Sequence, residues 1–352
     1  MAKQHIFFGK TVNAPSLKGI MENKLVQAKR IELNFEGGHK VLLNPENSQA
    51  ASWAKLIGYL QKNNRPVYIT TDNEIVTNVL IPEAARVWEV WDADEKTVHV
   101  SFYTSTALHY LRRDHPHFKK MLEALQNAVG KELPLLVTST HTDFEIIDVR
   151  DLPADLAKTE AKIILKSPET AEIKEEEKVV TMQRAMELFE MIDKKACIPH
   201  DLANPCIPFL YPSNGCWVRA HLMCYFLRKE KETPKKIWSS GQYLQARSSN
   251  VPGCLIKWTW HVAPTLMVEQ KNGEIIKMVF DPSIHNAPVT VKRWLELQTD
   301  PKVTSRETEW DWYKFWGGER SQPDANEDMQ EFRDLLENMW SKYGLPPYEC
   351  TE

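Results

Sequence analysis

The sequence predicts an α+β protein of two domains, the second of which packs a cysteine-bearing helix against an antiparallel sheet. The length of 352 residues allows two domains of about 100–200 residues each. Helical and strand periodicities are mixed in both halves of the chain. A charge-rich stretch at 172–178 separates the halves, so we place one domain at 1–170 and the other at 171–352.

The composition is that of a globular protein and argues against two classes of partner. Hydrophobic residues make up 42% of the chain and charged residues 26%, which is enough apolar material for a core. The net charge of −4 lacks the basic footprint of a nucleic-acid-binding protein. No stretch approaches the roughly 20 apolar residues of a membrane span, so we expect neither nucleic acid nor membrane as a partner.

All six cysteines lie in the second half of the chain, at Cys197, Cys206, Cys216, Cys224, Cys254 and Cys350. A small disulfide-stapled domain would be shorter and richer in cysteine, so we interpret them as mostly reduced thiols. The first residues also lack the apolar region of a cleaved signal peptide. We therefore expect a cytoplasmic protein, or one exported without a cleavable signal peptide; no oligomeric state follows from the sequence.

The first half contains strand-like and helix-like segments but no motif that carries chemistry. Alternating or β-branched runs at 30–35, 66–70 and 98–103 predict strands, and apolar stripes at 48–60 and 117–129 predict helices. A glycine-rich phosphate loop and a metal-ligand spacing are both missing from this part of the sequence. We expect the first domain to serve docking or to cover a cleft of the second.

The second half opens with a helix at 181–195, because its apolar residues fall on one stripe. Four prolines follow within a short distance, at Pro199, Pro205, Pro208 and Pro212. Regular structure is not expected there, so this segment should bring the chain as an irregular loop to Cys216.

Another helix is expected to begin at Cys216. It has one apolar face, formed by Val218, Leu222, Tyr225 and Phe226. Ser213 or Asn214 is the predicted N-cap, and Gly215 allows a sharp turn before the helix. Arg219, on the same helix, is expected to form a salt bridge.

Cys216 would then lie in the first turn, near the unpaired N–H groups and the positive end of the helix dipole. That environment favours the thiolate, which is the nucleophilic form of cysteine. A free cysteine taken alone is more often a small buried residue, and this is our interpretation of Cys224. A catalytic interpretation of Cys216 therefore requires a partner.

A histidine on a later strand is the candidate partner. Residues 255–262 alternate, with apolar side chains at the even positions and Lys257, Thr259 and His261 at the odd positions. His261 is therefore expected on the more polar face of its strand.

Asp281 is expected beside His261 if the following hairpin has the right register. The Asn-Gly pair that ends at Gly273 predicts the hairpin turn. A two-residue loop would pair Asp281 with Pro264, on the face opposite His261. A three-residue loop with Gly273 as its left-handed residue pairs Asp281 with Ala263, diagonal to His261 at about 7–8 Å between backbones. A bulge at Pro264 would have the same effect.

Cys216, His261 and Asp281 together predict a catalytic triad for acyl transfer. In this interpretation Cys216 attacks, His261 acts as general base and then as general acid, and Asp281 orients and stabilises the imidazolium. Each residue also has an ordinary structural alternative: a buried thiol, a hydrogen-bonded structural histidine and a turn-capping aspartate. The hypothesis therefore depends on all three lying together.

The order of a cysteine at a helix start, a histidine on a strand and an aspartate on the next strand resembles the transglutaminase-like and papain-like enzymes. More closely, the chain resembles the bacterial protein-glutaminases (protein-glutamine deamidases) in four segments, at 214–221, 236–241, 258–264 and 281–294. The match covers residues 205–295 in order and with comparable spacing. The resemblance implies a transglutaminase-like core in 171–352, hydrolysis of glutamine side chains in proteins to glutamate and ammonia, and those three residues as the catalytic triad.

The same resemblance implies a thioester intermediate, a protein or peptide substrate bearing glutamine, and no metal or organic cofactor. Backbone N–H groups at the helix start would hold the developing oxyanion. Trp217, Tyr243 and Trp260 are candidates for the walls of the substrate slot. Aromatic residues at strand spacing, such as Trp258 and Trp260, nevertheless belong more often to the core.

Two other classes remain open. The first is a metal site, for which thiolate and imidazole ligands are offered by Cys197, His200, Cys206 and Cys216. Their spacing is not a recognised zinc pattern, so we expect no metal. The second class keeps the same fold but acts as a transglutaminase, a cysteine protease or a non-catalytic interaction module. The sequence does not decide among deamidation, cross-linking and proteolysis.

Overall fold

A computed structural model of the chain describes residues 4–9, 11–13, 31–35, 38–131, 134–154, 156, 176–198, 206–248, 255–315 and 322–343. Its contacts divide the chain into two compact units. The first consists of Met1–Val100, His109–Thr159 and Glu337–Gly344, and the second of Ser101–Leu108, Glu160–Leu336 and Leu345–Glu352. The domain boundary predicted at residue 170 lies outside the described residues and stays a prediction.

The first unit contains three β-sheets. The largest has six strands: β1 (Gln4–Gly9), β2 (Thr11–Asn13), β3 (Ile31–Phe35), β4 (Lys40–Leu43), β5 (Val67–Asp72) and β6 (Ile75–Leu80). Their order is β1-β5-β6-β4-β3-β2, and all neighbours are antiparallel except β4 and β6. The other strands are β7 (Pro82–Ala85), β8 (Val87–Asp92), β9 (Thr97–Phe102), β10 (His109–Arg112), β11 (Leu135–Ser139) and β12 (Ile146–Asp151). They form sheets of order β10-β9-β8 and β12-β11-β7.

Two helices of the first unit bury one face each. They are α1 (Ala50–Lys62) and α2 (Phe118–Ala128), and their buried apolar residues include Trp53, Leu56, Ile57, Met121 and Leu125. Each helix therefore packs an apolar stripe of its surface against the core of the first unit. The helices and strands predicted for the first half are confirmed to within two residues at each end, as α1, α2, β3, β5 and β9.

The second unit is built on one six-stranded sheet. Its strands are β13 (Val179–Thr181), β14 (Lys235–Arg247), β15 (Leu255–Glu269), β16 (Ile275–Val279), β17 (Val289–Thr290) and β18 (Thr304–Glu309). Five of them are antiparallel in the order β17-β16-β15-β14-β18, and β13 pairs with β15 in parallel. The long central strand β15 carries His261, so the middle of this sheet positions the candidate base.

Four helices accompany this sheet: α3 (Met182–Asp193), α4 (Cys216–Lys229), α5 (Val291–Glu296) and α6 (Gln322–Tyr343), whose residues from Glu337 onward belong to the first unit. The helices predicted at 181–195 and from Cys216 are confirmed as α3 and α4. None of the helices in the described part of the chain is long and apolar enough to cross a membrane.

Helix α4 is buried on nearly all sides. It packs against β15, and Arg219 and His221 are as buried as its apolar residues. Of the apolar face predicted from the sequence, Val218, Leu222 and Phe226 are buried, but burial extends to the other faces of the helix as well. The reason is that aromatic residues cover the other faces: His221 contacts the rings of Trp310 and Tyr313. A helix that is enclosed in this way is a core element.

The predicted N-cap of α4 is also wrong. The N-cap is Gly215, in the left-handed conformation with φ 74°, and no side chain caps the helix. The Asn214 side chain is used elsewhere, because its Oδ1 accepts hydrogen bonds from the N–H groups of Gly215 (2.9 Å) and Thr106 (3.3 Å). Only glycine fits at this position, since a Cβ there would lie 2.9 Å from the ring of Phe332.

Of the four cysteines that the structure describes, Cys197 and Cys206 form a disulfide, whereas Cys254 and Cys350 lie outside the described residues. The expectation of reduced thiols is wrong for this pair. Backbone hydrogen bonds bring the two cysteines together, because the chain on either side pairs through Cys197 N–H to Ile207 O (2.9 Å) and Ile207 N–H to Lys195 O (2.7 Å). Cys216 and Cys224 are free and buried.

Candidate active site

The hairpin between β15 and β16 has the register that the three-residue loop predicts. Thr265 pairs with Val279, and the ladder ends with Glu269 opposite Ile275. The turn is closed by Gly273, which is left-handed with φ 82°. The same register continues past β16, where the Phe280 N–H donates to Pro264 O at 2.9 Å. The hairpin therefore carries Asp281 to the side of the sheet on which His261 lies.

His261 and Asp281 are hydrogen-bonded to each other in the interior of the second unit. His261 Nε2 lies 2.8 Å from Asp281 Oδ2, and both side chains are 1% exposed. Two further donors hold the carboxylate: Trp294 Nε1 reaches Oδ2 at 2.9 Å, and the Ser283 N–H reaches Oδ1 at 3.3 Å. These hydrogen bonds hold the Asp281 carboxylate in one position, from which it orients the imidazole of His261.

The imidazole of His261 lies between two indole rings. Trp258 stacks on it with centroids 4.5 Å apart and planes 8° apart, and Trp294 lies against it at 5.6 Å and 27°. The expectation that His261 is on a polar face is wrong, because both faces of β15 are buried from Trp258 to Leu266. Helices α3 and α4 and the Trp294 ring of α5 pack on this strand and exclude water from it.

The histidine and the aspartate stabilise each other as an ion pair. Burial lowers the pKa of His261, but the Asp281 carboxylate and Cys216 outweigh it and raise that pKa to about 9. Burial raises the pKa of Asp281, but His261 and the Trp294 N–H outweigh it and lower that pKa to about 2. At neutral pH the pair is therefore an imidazolium beside a carboxylate.

Cys216 lies near the imidazole. It is the first residue of α4 and is 1% exposed. Its interaction with His261 raises the pKa of the histidine. His261 Nδ1 is buried and has no hydrogen-bond partner among the described residues. The structure thus brings together the three residues predicted as a triad, in an order that can support acyl transfer.

A buried arginine holds the loop in front of Cys216. Arg219 Nη1 donates to Tyr211 O at 2.9 Å and to Asn214 O, and Nη2 donates to Pro212 O at 3.2 Å. Trp258 Nε1 donates to the same Pro212 carbonyl at 3.2 Å. The expected salt bridge is missing, since no carboxylate of the described residues lies within ion-pair distance of Arg219.

A second buried cation, Lys236 of β14, lies beside helix α4. Its side chain is fully buried, and its Nζ lies 2.7 Å from Trp312 O and 3.3 Å from His221 Nδ1. Burial lowers the pKa of Lys236 to about 8, and burial raises the pKa of Cys224 to about 12. Cys224 is therefore a protonated thiol of the core, as the sequence suggested.

The three candidate wall residues lie in different surroundings. Trp217 is 8% exposed and contacts the rings of Trp260 (5.7 Å) and Phe332 (5.5 Å). Trp260 is 1% exposed within an aromatic cluster that also includes Trp238 and Phe315. Tyr243 is 42% exposed, on the stretch where the pairing of β14 with β15 shifts register. A substrate-binding role for these residues stays a prediction.

The segment 101–108 follows the edge of β15 beside the candidate site. Ala107 forms an antiparallel bridge with Trp258, and the Thr259 N–H donates to Thr106 O at 2.9 Å. The Thr106 N–H and hydroxyl both lie 3.3 Å from Asn214 Oδ1, two residues before Cys216. Thr106 and Ala107 are fully buried. This part of the second unit was not expected from the sequence.

The metal alternative loses two of its ligands in this structure. Cys197 and Cys206 are joined to each other, so neither offers a thiolate, and His200 lies outside the described residues. Within the described ranges, no group of three or more His, Cys, Asp or Glu residues could hold a metal ion.

A comparison with protein families gives a match in the second half of the chain. Residues 185–298 match a family model described as glutaminase. The matched range contains Cys216, His261 and Asp281, and it includes the whole segment 205–295 that resembles the protein-glutaminases. That resemblance is therefore confirmed. Among curated protein sequences, no significant match was found.

Two solved structures are similar to this chain in fold. A crystal structure of pro-protein-glutaminase gives a TM-score of 0.59 at 20% identity, covering 73% of this chain and 94% of that one. A mutant of pro-protein-glutaminase gives 0.58 at 20% identity, covering 78% and 96%. The mixed α+β fold is thus shared with these structures, although few residues are identical.

Proposed function

We propose that the protein hydrolyses the side-chain amide of glutamine within proteins or peptides, releasing ammonia and leaving glutamate. The glutaminase family match over 185–298 and the fold of the pro-protein-glutaminase structures support this reaction class. The residues that would carry it are Cys216, His261 and Asp281.

In the first half of the reaction, the Cys216 sulfur attacks the carboxamide carbon. Backbone N–H groups at the start of α4 hold the oxyanion that forms. As the tetrahedral intermediate collapses, the bond from carbon to nitrogen breaks, and His261 gives its proton to the departing ammonia. A thioester on Cys216 and a neutral imidazole remain.

In the second half, His261 takes a proton from water, and the water oxygen attacks the thioester carbon. The sulfur leaves as a thiolate, and the former glutamine is released as glutamate. One water is consumed and one ammonia is formed, so no metal, oxidant or organic cofactor enters the balance. Asp281 keeps the imidazole in one orientation and stabilises its protonated form throughout.

The observation that carries the proposal is the use of the two imidazole nitrogens. His261 Nε2 is bound to Asp281 at 2.8 Å, while the buried Nδ1 has no hydrogen-bond partner among the described residues, and Cys216 is near enough to raise the pKa of the ring. A histidine of the core would be expected to satisfy both nitrogens with static partners. Here one nitrogen remains available for proton transfer.

The first test is ammonia release from a glutamine-containing protein. Cys216→Ala should abolish it, because the nucleophile is lost. Cys224→Ala is the matched control, since Cys224 is a buried thiol of the same helix that the mechanism does not use, and it should retain activity within a few-fold. Sustained ammonia release by folded Cys216→Ala would overturn the proposal.

The same assay separates deamidation from the related reactions. We expect each converted glutamine to add about one mass unit, with no loss of chain length and no incorporation of added amine. Shortened chains would indicate a protease, and cross-linked or amine-labelled product would indicate a transglutaminase.

We also infer that the segment 101–108 occupies the strand edge on which an extended substrate would lie. Its backbone uses Thr259 N–H and Lys257 O, two groups that otherwise offer pairing to another chain. The buried triad is consistent with a covered site. The segment 101–108 would therefore perform part of the cleft-covering role predicted for residues 1–170. The docking role of that domain stays a prediction.

The Ala107→Asp variant tests this inference. A carboxylate at a fully buried position is costly, so the segment should leave the edge of β15. Alkylation of Cys216 by iodoacetamide, followed by peptide mass, should then accelerate by about tenfold or more. Val129→Asp is the control, because Val129 is 41% exposed in the first unit. An unchanged alkylation rate in folded Ala107→Asp would contradict the inference.

A further inference from the structure

We infer that Arg219 is a positioning residue for Cys216: its guanidinium fixes the loop 211–214 ahead of the nucleophile and supplies a buried positive charge beside the sulfur. The inference rests on the proposed function, because it concerns how that cysteine is made reactive. Among the described residues Arg219 has no hydrogen bond to His261 or Asp281, and we assign its effect to Cys216, the charge that acts on it most strongly.

The first support is the geometry of the guanidinium. Arg219 is three residues after Cys216, and long side chains on a helix lean back toward its N-terminus. The guanidinium therefore lies at the start of α4, where it bonds to the carbonyl oxygens of Tyr211, Pro212 and Asn214. These three bonds determine the path of the chain into Gly215 and Cys216.

The second support is the state of its charge. Arg219 is 1% exposed, its acceptors among the described residues are neutral carbonyls, and its buried Nε has no hydrogen-bond partner among those residues. A buried cation that has no paired anion is costly. The charges that act on Arg219 most strongly are Cys216 first and Asp281 second. A thiolate at Cys216 would therefore compensate the charge of Arg219 more strongly than the other groups do.

The third support is the link from this loop to the imidazole. The Pro212 carbonyl accepts from both Arg219 Nη2 and Trp258 Nε1, each at 3.2 Å. Trp258 stacks directly on His261. The Pro212 carbonyl thus links the loop before helix α4 to Trp258, which stacks on the candidate base His261. Arg219 holds this carbonyl in place by a hydrogen bond.

Other charged groups face Cys216, and they make different contributions. His261 and Asp281 form their own pair on β15 and after β16. Lys236 on β14 interacts with Cys224 more strongly than with Cys216. Arg219 is therefore the permanent cation on which the nucleophile exerts the strongest charge effect.

The test is a titration of the Cys216 thiolate by its ultraviolet absorbance, taken as the difference from Cys216→Ala in a Cys224→Ala background. This readout needs neither substrate nor solvent access to the sulfur. In Arg219→Met the thiolate should form at higher pH, and kcat/KM for ammonia release should fall at least about tenfold. In Arg219→Lys the positive charge remains, but the three hydrogen bonds to backbone carbonyls are lost. The value of kcat/KM should therefore fall, while the thiolate titration stays near that of the wild type.

Arg333→Met is the matched control. Arg333 is also a 1% exposed arginine that donates to a backbone carbonyl, Cys206 O at 3.0 Å, but the charge that acts on it is Asp334. Its loss should lower stability without moving the Cys216 titration. A wild-type titration in folded Arg219→Met overturns the inference. If Arg219→Met does not fold, a titration of Arg219→Lys displaced to higher pH overturns it instead. A shifted titration without any ammonia release by the wild type would support the inference and refute the proposed reaction.

Discussion

The Asp281 carboxylate is held by three donors, and one of them is a residue that the sequence did not single out for the site. His261 Nε2 and Trp294 Nε1 share Oδ2, and the Ser283 N–H occupies Oδ1. Trp294 also lies flat against the imidazole of His261. It therefore fixes both members of the pair, and its indole N–H helps to keep the aspartate ionised.

Replacing Trp294 by phenylalanine should weaken this pair while keeping an aromatic ring against His261. A buried hydrogen bond to a charged group contributes about 1.5–3 kcal/mol, so we expect a loss of unfolding free energy of that order. Ammonia release should fall about tenfold in kcat/KM, because the carboxylate is less well oriented.

Trp238→Phe is the control for Trp294→Phe. The Trp238 N–H donates to a neutral hydroxyl, Thr308 Oγ1 at 2.8 Å, so its loss should cost about 1 kcal/mol and leave kcat/KM within a few-fold. Both quantities are accessible from urea denaturation and from the ammonia assay. Equal losses of activity in the two variants would remove the special role of Trp294.

The ionisation of His261 predicts how stability and activity depend on pH. Its pKa is raised from 6.5 to about 9, so its pairing stabilises the folded protein fully below about pH 6.5 and is lost as the pH rises through about 9. The pKa of Asp281 is lowered from 3.8 to about 2, so its contribution is present above about pH 4 and is lost as the pH falls toward 2.

We therefore expect wild type to lose its stability advantage over His261→Gln between about pH 6.5 and pH 10, as measured by urea denaturation. The rate of ammonia release should fall over the alkaline part of the same range, because the leaving ammonia then has no acid to protonate it. A difference in stability that is constant across this range would show that His261 is not the group that titrates.

At the scale of the element, the start of α4 depends on a single glycine. Gly215 is left-handed, and the ring of Phe332 lies 2.9 Å from the position of a Cβ. Together with the Arg219 bonds to the preceding carbonyls, this places the first turn of the helix beside His261. The nucleophile is thus positioned by backbone conformation more than by its own side chain.

Gly215→Ala should therefore be costly in two ways. The left-handed conformation costs about 1–2 kcal/mol for an alanine, and the contact with Phe332 forces the helix start or the ring to move. We expect a total loss of about 3 kcal/mol of unfolding free energy and a fall in kcat of about tenfold or more.

Gly273→Ala separates the two costs. Gly273 has the same left-handed conformation, with φ 82°, but nothing lies within 4 Å of its would-be Cβ. It should lose only the conformational part, about 1–2 kcal/mol, with little change in kcat. If Gly215→Ala and Gly273→Ala have the same denaturation midpoint, the Phe332 ring moves aside in Gly215→Ala at no cost in unfolding free energy.

At the scale of the whole molecule, the Cys197–Cys206 disulfide bears on the kind of compartment in which the protein keeps its full stability. Cys197 and Cys206 close a short loop, and the Cys206 carbonyl accepts a hydrogen bond from Arg333 of α6. Disulfides persist mainly in oxidising compartments. Of the two predicted locations, a disulfide fits the exported one better than the cytoplasmic one, and the location stays a prediction.

Reduction should destabilise the protein through this bond. A loop of this size should contribute about 2–3 kcal/mol, so a reducing agent should lower the unfolding free energy of wild type by that amount. The double variant Cys197→Ser, Cys206→Ser should already be less stable and should not respond further. Cys224→Ala, which leaves the disulfide intact, should respond as wild type does. A double variant as stable as the oxidised wild type would contradict this prediction.

Local pattern was sufficient for the elements that carry the candidate triad. The helix start at Cys216, the strand with His261 and a hairpin turn at Asn272-Gly273 all follow from neighbouring residues. The register of a hairpin depends on the length of its turn, and the sequence left two-residue and three-residue loops open, of which only the latter brings Asp281 to the side of His261. The sequence by itself therefore named the three candidate residues, and the structure decided the hairpin register.

The surroundings of those residues depend on contacts between distant parts of the chain. Trp294, Thr106 and Phe332 contact the site from distant segments, and no periodicity in those segments points to Cys216. Arg219 was expected to form a salt bridge, but it bonds to backbone carbonyls of the loop before α4. The disulfide likewise depends on a backbone pairing between Lys195 and Ile207. Only the tertiary structure decided how the triad is buried, oriented and charged, because burial and long-range hydrogen bonds arise from packing and leave no local signal in the sequence.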